Sequence, residues 1–181
     1  EFLVLVRAAL ADQVDALAGL RDFNIHPRRG EFIVFDKSAR TLVDVILKPV
    51  PSPTYRGVLV APTVFGNVLL GPTAEDVDDP EDWRVTREGL GKLNAAAHAI
   101  MPALLTHEVT ATYCGLRPAT ERPEYRINAY PDRHWITVGG IRSTGLSGSL
   151  GIAEHVVELA FDGMLHAPRK PDIVAVSVPS L

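Results

Sequence analysis

Between residues 31 and 73 four short apolar runs follow one another, and the brevity of the links between them is the strongest constraint on the fold. EFIVFDK (31–37) alternates, with Phe32 and Val34 on one face and Ile33 and Phe35 on the other. TLVDVILKP (41–49) comes next after an SAR turn. GVLVAPT (57–63) and NVLLGPT (67–73) follow, joined at Val64-Phe65-Gly66 in a predicted hairpin. Parallel neighbours need a crossover of a dozen or more residues, so these four runs are expected to pair antiparallel.

The flanking segments complete the layout. Phe2–Val6 reads as a buried strand, and residues 8–19 as a short amphipathic helix carrying Leu10, Val14, Leu17 and Ala18, ended by Gly19. AEDVDDPEDW (74–83) reads as an acidic surface loop without the ligand spacing or glycine of a calcium loop. Residues 85–105 place Leu90, Leu93, Ala97, Ile100 and Leu104 on one stripe, a long helix facing the sheet, with Pro102 tightening or kinking its last turn. HEVTATYCGLRP (107–118) is a further strand. YRINAYP (125–131) and HWITVGG (134–140) form a pair across a Pro-Asp-Arg turn, a helix spans 149–165, and an extended tail begins at 167–172. Strands in a run, then a helix, then strand, hairpin and helix make an α+β chain with a mixed, largely antiparallel sheet and helices packed on one face.

Composition narrows the function classes. At 181 residues the chain is long enough for one sizeable domain with a proper core, and 46% apolar with 22% charged residues is ordinary for a soluble globular protein. A net charge of −4 without a basic patch argues against nucleic acid. No apolar run is long enough to cross a bilayer, and no secretory signal is visible. The single cysteine, Cys114, excludes an internal disulfide and fits a reducing, cytoplasmic setting. The chain opens on FLVLV and closes on VSVPSL, apolar ends that read as cuts within a longer protein.

Two segments carry chemistry. GGIRSTGLSGSLGIAEHV (139–156) is a glycine-serine turn entering an apolar helix, with Ser147 and Ser149 as N-cap candidates. A helix start of this kind offers free N–H groups and a partial positive charge to an electron-rich ligand atom. Arg117, in a Gly115–Pro118 turn at a strand end, suits bidentate pairing with a carboxylate or phosphate, or with Glu121 as an ordinary surface pair. Arg142 either shares that anion or is a solvated loop residue. GLSGS (145–149) lacks the last glycine of a nucleophile elbow and has no acid and histidine suitably downstream. The six histidines show no metal spacing; His26 and His134 are either general bases or plain surface or core residues.

Four stretches in order, HPRRGEFIVFDK (26–37), GVLVAPTVFGNVLLGPTAED (57–76), GLRPAT (115–120) and GIRSTGLSGSLGIA (140–153), give the chain its kinship. It resembles the D-amino-acid-oxidase-like family of FAD-dependent oxidoreductases, and within it the glycerol-3-phosphate dehydrogenase and L-2-hydroxyglutarate oxidase group. The resemblance spans roughly residues 23 to 160. It implies FAD as cofactor, with Gly140, Ile141, Gly145, Leu146 and Ser147 against the flavin, and Arg117 on the substrate's acidic group. It implies oxidation of a small anionic 2-hydroxy compound, glycerol 3-phosphate first and L-2-hydroxyglutarate second, by hydride transfer to the flavin. The implied partition is a remnant of the FAD-binding domain at 1–22, a substrate-binding cap at 23–118, the end of the FAD-binding domain at 119–166 and a tail at 167–181.

This sequence departs from the family pattern in several places. The G-x-G-x-x-G fingerprint and its βαβ unit are absent, and the usual N-A-A-G turn reads Arg7-Ala8-Ala9-Leu10. Phe32 and Phe65 stand where relatives often have Tyr and His, and Arg142 where an acidic residue is common. Little or no FAD binding and no turnover are therefore expected of these residues alone. A non-catalytic anion-binding module or an inactive family member are the alternatives. The electron acceptor and peripheral attachment to a membrane are left open.

Overall fold

The computed structural model describes residues 3–5, 9–50 and 57–163. The alternating run begins earlier than its apolar stretch suggests: β2 (His26–Phe35) carries Arg29, Glu31, Ile33 and Phe35 buried on one face and His26, Arg28, Phe32 and Val34 less covered on the other. β6 (Val109–Ala119) pairs antiparallel along one whole edge of β2. The opposite edge is shared by β4 (Val68–Gly71) and the short β5 (Glu75–Asp76), and β3 (Leu59–Pro62) joins β4 through the expected hairpin. All the pairings of this five-stranded sheet are antiparallel.

α2 (Arg87–Ile100) covers the inner face. Its Leu93 and Ala97, fully buried, meet Ile33, Phe35, Val60, Val68 and Leu70 in the main core. Thr86 caps this helix, its hydroxyl accepting from Gly89 N at 3.0 Å. The helix ends at Ile100, short of the expected 105. Pro102 begins a 3₁₀ turn, Pro102–Thr106, because its ring cannot continue the helical hydrogen-bond ladder.

The expected strand at 41–49 does not form. Asp36 accepts a hydrogen bond from Ser38 N at 2.9 Å and starts a 3₁₀ helix over Lys37–Leu42. Arg40 then holds Val43 O and Asp44. What remains of the strand is one antiparallel bridge, Leu47 to Val60. Local side-chain to backbone bonds have displaced the ladder that the apolar pattern suggested.

A second, three-stranded sheet has the order β1-β8-β7, with β1 (Leu3–Leu5) parallel and β7 (Arg126–Tyr130) antiparallel to β8 (Trp135–Gly139). One face of β8 packs Ile136 and Val138 against Ile152, Val156 and Ala160 of α3 (Gly145–Gly163). On the other, α1 (Ala11–Leu17) supplies buried Asp15, which accepts from Trp135 Nε1 at 3.1 Å and Thr137 Oγ1 at 2.7 Å. Helices thus lie on both faces of the small sheet and on one face of the large one. The fold is α+β, mixed and largely antiparallel. The tail from 167 and the Arg7-Ala8 part of the early turn lie outside the described residues.

Candidate functional site

The outer face of the large sheet is left bare by the helices among the described residues. Along β2 it presents His26, Arg28, Gly30, Phe32 and Val34, and opposite them on β6 stand Ala119, Arg117, Gly115, Tyr113 and Ala111. At one end Phe32 stacks on Tyr113, with ring centroids 4.8 Å apart and planes at 12°. In the middle two glycines face each other, Gly30 lying beneath the Arg117 side chain and Gly115 left open. A Cβ on Gly115 would meet nothing within 4 Å.

Two arginines, Arg28 and Arg117, lie directly across the ladder from one another. Like charges in that position oppose pairing. Arg28 is neutralised by a two-point pair with Asp76, Nε to Oδ1 at 2.6 Å and Nη2 to Oδ2 at 2.9 Å, which raises the Arg28 pKa and lowers that of Asp76. Arg117 is half-buried and has no carboxylate partner among the described residues. Its Nη2 donates to Thr73 O at 2.8 Å, with the guanidinium lying across Gly30. Burial, with Arg28 next in weight, pushes the Arg117 guanidinium below its ordinary value, yet it stays cationic at neutral pH. A desolvated cation without a carboxylate partner among the described residues has the chemistry to attract an anion.

The sequence-derived site residues divide. Arg117 stands within a continuous strand, not a turn, because the β2–β6 ladder runs through to Ala119. Glu121 does not pair with it; that carboxylate takes Asn24 N at 2.7 Å and Asn24 Nδ2 at 2.9 Å. Arg142 is half-buried: Nη2 donates to Thr120 O at 2.8 Å and Arg122 O at 3.1 Å, while its buried Nε has no partner among the described residues. It thereby ties the turn before α3 to the end of β6. Gly140 occupies the left-handed region at φ 68°, where the chain turns out of β8.

α3 begins at Gly145, four residues earlier than expected, and Ser147 and Ser149 lie inside it rather than at its cap. The Gly148 N to Thr144 O bond of 2.8 Å is already in place, and Ser149 Oγ donates back to Leu146 O at 2.9 Å. Tyr125 OH bonds the Thr144 hydroxyl and steadies that start. Leu146 is 92% exposed, and the N–H groups of the first turn have no acceptor within the helix. Ile141 packs against the small core of Ile136, Val138 and Ala160.

His26 stands at the end of the bare face, whereas His134 occupies a left-handed turn of the other sheet. Phe65 is 80% exposed at the β3–β4 hairpin tip. The sequence reading passed over Arg28, Asp76 and Thr73. The HPRRGE motif held the signal for Arg28, since its residues at alternate positions share a face with Arg117, but the register was needed to see it.

A profile of the FAD dependent oxidoreductase family matches residues 3–159. The chain belongs to that family. It is 34% identical over 160 residues to a glycerol 3-phosphate dehydrogenase of Caloramator mitchellensis, a match covering 88% of this chain and 33% of that protein. It is 31% identical over 153 residues to a glycerol 3-phosphate oxidase of Mycoplasma pneumoniae, covering 82% of this chain and 40% of that one. The structure of dithionite-reduced L-alpha-glycerophosphate oxidase from Mycoplasma pneumoniae with FAD bound superposes with a TM-score of 0.80 at 26% identity, over 93% of this chain and 44% of that chain. The family member described here therefore spans less than half the length of these relatives. No helix among the described residues is long and apolar enough to cross a membrane.

Proposed function

We propose that this chain is the substrate-binding part, with the last part of the FAD-binding domain, of a flavin-dependent dehydrogenase or oxidase acting on a small anionic 2-hydroxy compound. Glycerol 3-phosphate is the first choice and L-2-hydroxyglutarate the second. Residues 23–118 form the substrate-binding cap, while 1–22 and 119–166 belong to the FAD-binding domain. The observation that carries this reading is Arg117: a desolvated guanidinium without a carboxylate partner among the described residues, on the bare face of the sheet. The relatives named for glycerol 3-phosphate favour a phosphate as its ligand.

The residues present suit part of FAD. The free N–H groups of Gly145, Leu146 and Ser147, with the turn at Gly140-Ile141, suit the electron-rich edge of a flavin. No G-x-G-x-x-G turn accompanies them for the dinucleotide phosphates. FAD, when bound, supplies the hydride acceptor. The protein's part is orientation: Arg117 fixes the acidic end of the substrate beside the open backbone at Gly115, and Arg142 holds the turn before α3 against the end of β6. The single, half-buried cysteine supports a cytoplasmic setting.

Arg117→Ala in the full-length protein is expected to raise the Michaelis constant for glycerol 3-phosphate about 30-fold or more, the scale for truncating one partner of a buried charge pair. An unchanged value refutes the assignment. A flavin titration of residues 1–181 alone is expected to show weak or no binding; a tight stoichiometric yellow complex would overturn that expectation.

A further inference from the structure

On the inner face of β2, opposite the bare face, lies Glu31, whose carboxylate is completely buried without a cationic partner among the described residues. Oε1 accepts from Thr86 N at 2.5 Å and Thr86 Oγ1 at 2.9 Å, at the start of α2, and Oε2 accepts from Thr73 Oγ1 at 3.3 Å. A buried carboxylate is a costly way to join a strand to a helix, because an apolar pair of similar volume does so at least as well. Its position relative to Thr73 gives it another use.

Thr73 is clamped to Glu31 at three points. Its N donates to Glu31 O at 3.2 Å, its Oγ1 accepts from Glu31 N at 3.0 Å, and the same hydroxyl donates to Oε2. A threonine hydroxyl has one proton to give, so this arrangement fixes its rotamer as well as its backbone. The Thr73 carbonyl is the atom that Arg117 Nη2 holds at 2.8 Å. Arg117 reaches it from β6 by crossing the central strand at Gly30, where a Cβ would stand 2.3 Å from Nη2. An unbroken series of contacts therefore runs from the start of α2 through Glu31 and Thr73 to the guanidinium on the other side of the sheet.

We propose that Glu31, acting through Thr73, is a positioning residue for Arg117, presetting the guanidinium for the substrate's anionic group. The proposal rests on Arg117 being the anion-binding residue. A preset guanidinium loses less side-chain freedom on binding, which makes affinity depend on residues that never touch the ligand.

The test compares Thr73→Val, Thr73→Ser and Glu31→Gln with Arg117→Ala in the full-length protein. Thr73→Val removes the hydroxyl and keeps the carbonyl; Thr73→Ser keeps both. Thr73→Val and Glu31→Gln are expected to raise the Michaelis constant for glycerol 3-phosphate about 3- to 10-fold, with kcat per bound flavin changed less than about 2-fold. Thr73→Ser should behave as wild type. The same weakening should appear without turnover, as a raised dissociation constant for glycerol 3-phosphate read from the Arg117 side-chain ¹⁵N resonance. Adding Thr73→Val to Arg117→Ala should have no further effect on the Michaelis constant. Should Glu31→Gln fail to fold, the two threonine variants decide. If Arg117→Ala matters while Thr73→Val leaves the Michaelis constant alone, or the two effects add, the positioning role is wrong and the anion seat stands. If Arg117→Ala itself has no effect, the anion-seat reading fails, and the positioning role with it.

Discussion

Two glycines on one turn of α2 are predicted to respond to the same substitution with opposite signs. Helix propensity alone favours alanine over glycine by about 1 kcal/mol at either place. At Gly91, which is exposed and where a Cβ would meet nothing within 4 Å, that gain should be realised. At Gly89 the new Cβ would stand 1.3 Å from Glu31 Oε2 and 2.2 Å from its Cδ. The carboxylate would have to retreat by about 2 Å to reach ordinary contact distance, breaking its bonds of 2.5 and 2.9 Å to Thr86. Losing both bonds costs about 3–5 kcal/mol, since each hydrogen bond to a charged group is worth about 1.5–3 kcal/mol and the two are not fully additive, and the helix gain recovers about 1 kcal/mol of it. The net loss is about 2–4 kcal/mol, or about 5–15 °C in Tm for a chain of this size. Gly91→Ala should instead raise Tm by about 1–4 °C. Thermal and urea melts followed by circular dichroism at the helix band measure both. Removing the obstacle makes the test sharper: in a Glu31→Ala background, Gly89→Ala should become neutral or stabilising. A Gly89→Ala protein as stable as wild type would refute the assignment of Glu31 to the α2 start.

Other predictions concern charge, ligand space and the small sheet. Asp82 has its pKa depressed first by its hydrogen bond to Arg84, with Arg29 contributing. Its stabilising contribution is therefore complete above the unfolded value of about 4 and is lost as pH falls through the folded value; Asp82→Asn should make the decline of Tm below about pH 4 shallower than in wild type, and an identical acid limb would contradict this. Gly115→Ala should leave Tm unchanged or slightly higher, since its Cβ enters open space. That methyl intrudes on the bare face, so the Michaelis constant of the full-length protein should rise even though the fold is intact. Trp135→Phe withdraws the indole donor from buried Asp15 while Thr137 remains, and should cost about 1–3 kcal/mol in urea unfolding.

The parts of this fold legible in the sequence were those written in local periodicity. The alternation at 31–37, the hairpin around Val64-Phe65-Gly66 and the stripe through Leu93 and Ala97 each follow from a neighbour a few residues away. The segment at 41–49 misled because Asp36 and Arg40 satisfy its backbone locally, a choice that apolar pattern does not register. The start of α3 was displaced for a related reason. Glycines at 145 and 148 read as a loop, but Tyr125, far along another strand connection, anchors Thr144 and allows the helix to begin there. Arg117 was legible as a candidate from its motif. Its surroundings were not, because Arg28, Thr73 and Asp76 reach it only through the registers of β2 with β6 and β5.

The two faces of β2 explain why fold and candidate site are so closely joined here. On the inner face Arg29 meets Asp82, and Glu31 meets Thr86 and Thr73, so buried charge fixes the strand to the loop before α2 and to the helix itself. On the outer face His26, Arg28 and Phe32 alternate with those residues and are only partly covered or exposed. A strand with period two keeps the two sets apart, so a substitution on the inner face should be felt in stability and one on the outer face in binding. Thr73 breaks that separation. It lies where the chain passes from β4 to β5, takes its side-chain bonds from the inner set and offers its carbonyl to Arg117 on the outer one. The proposed anion seat would draw its rigidity from the core, without needing further polar side chains on the open face to hold the guanidinium still. That leaves the open backbone at Gly115 beside the guanidinium, which is the arrangement a substrate held close above the sheet would require.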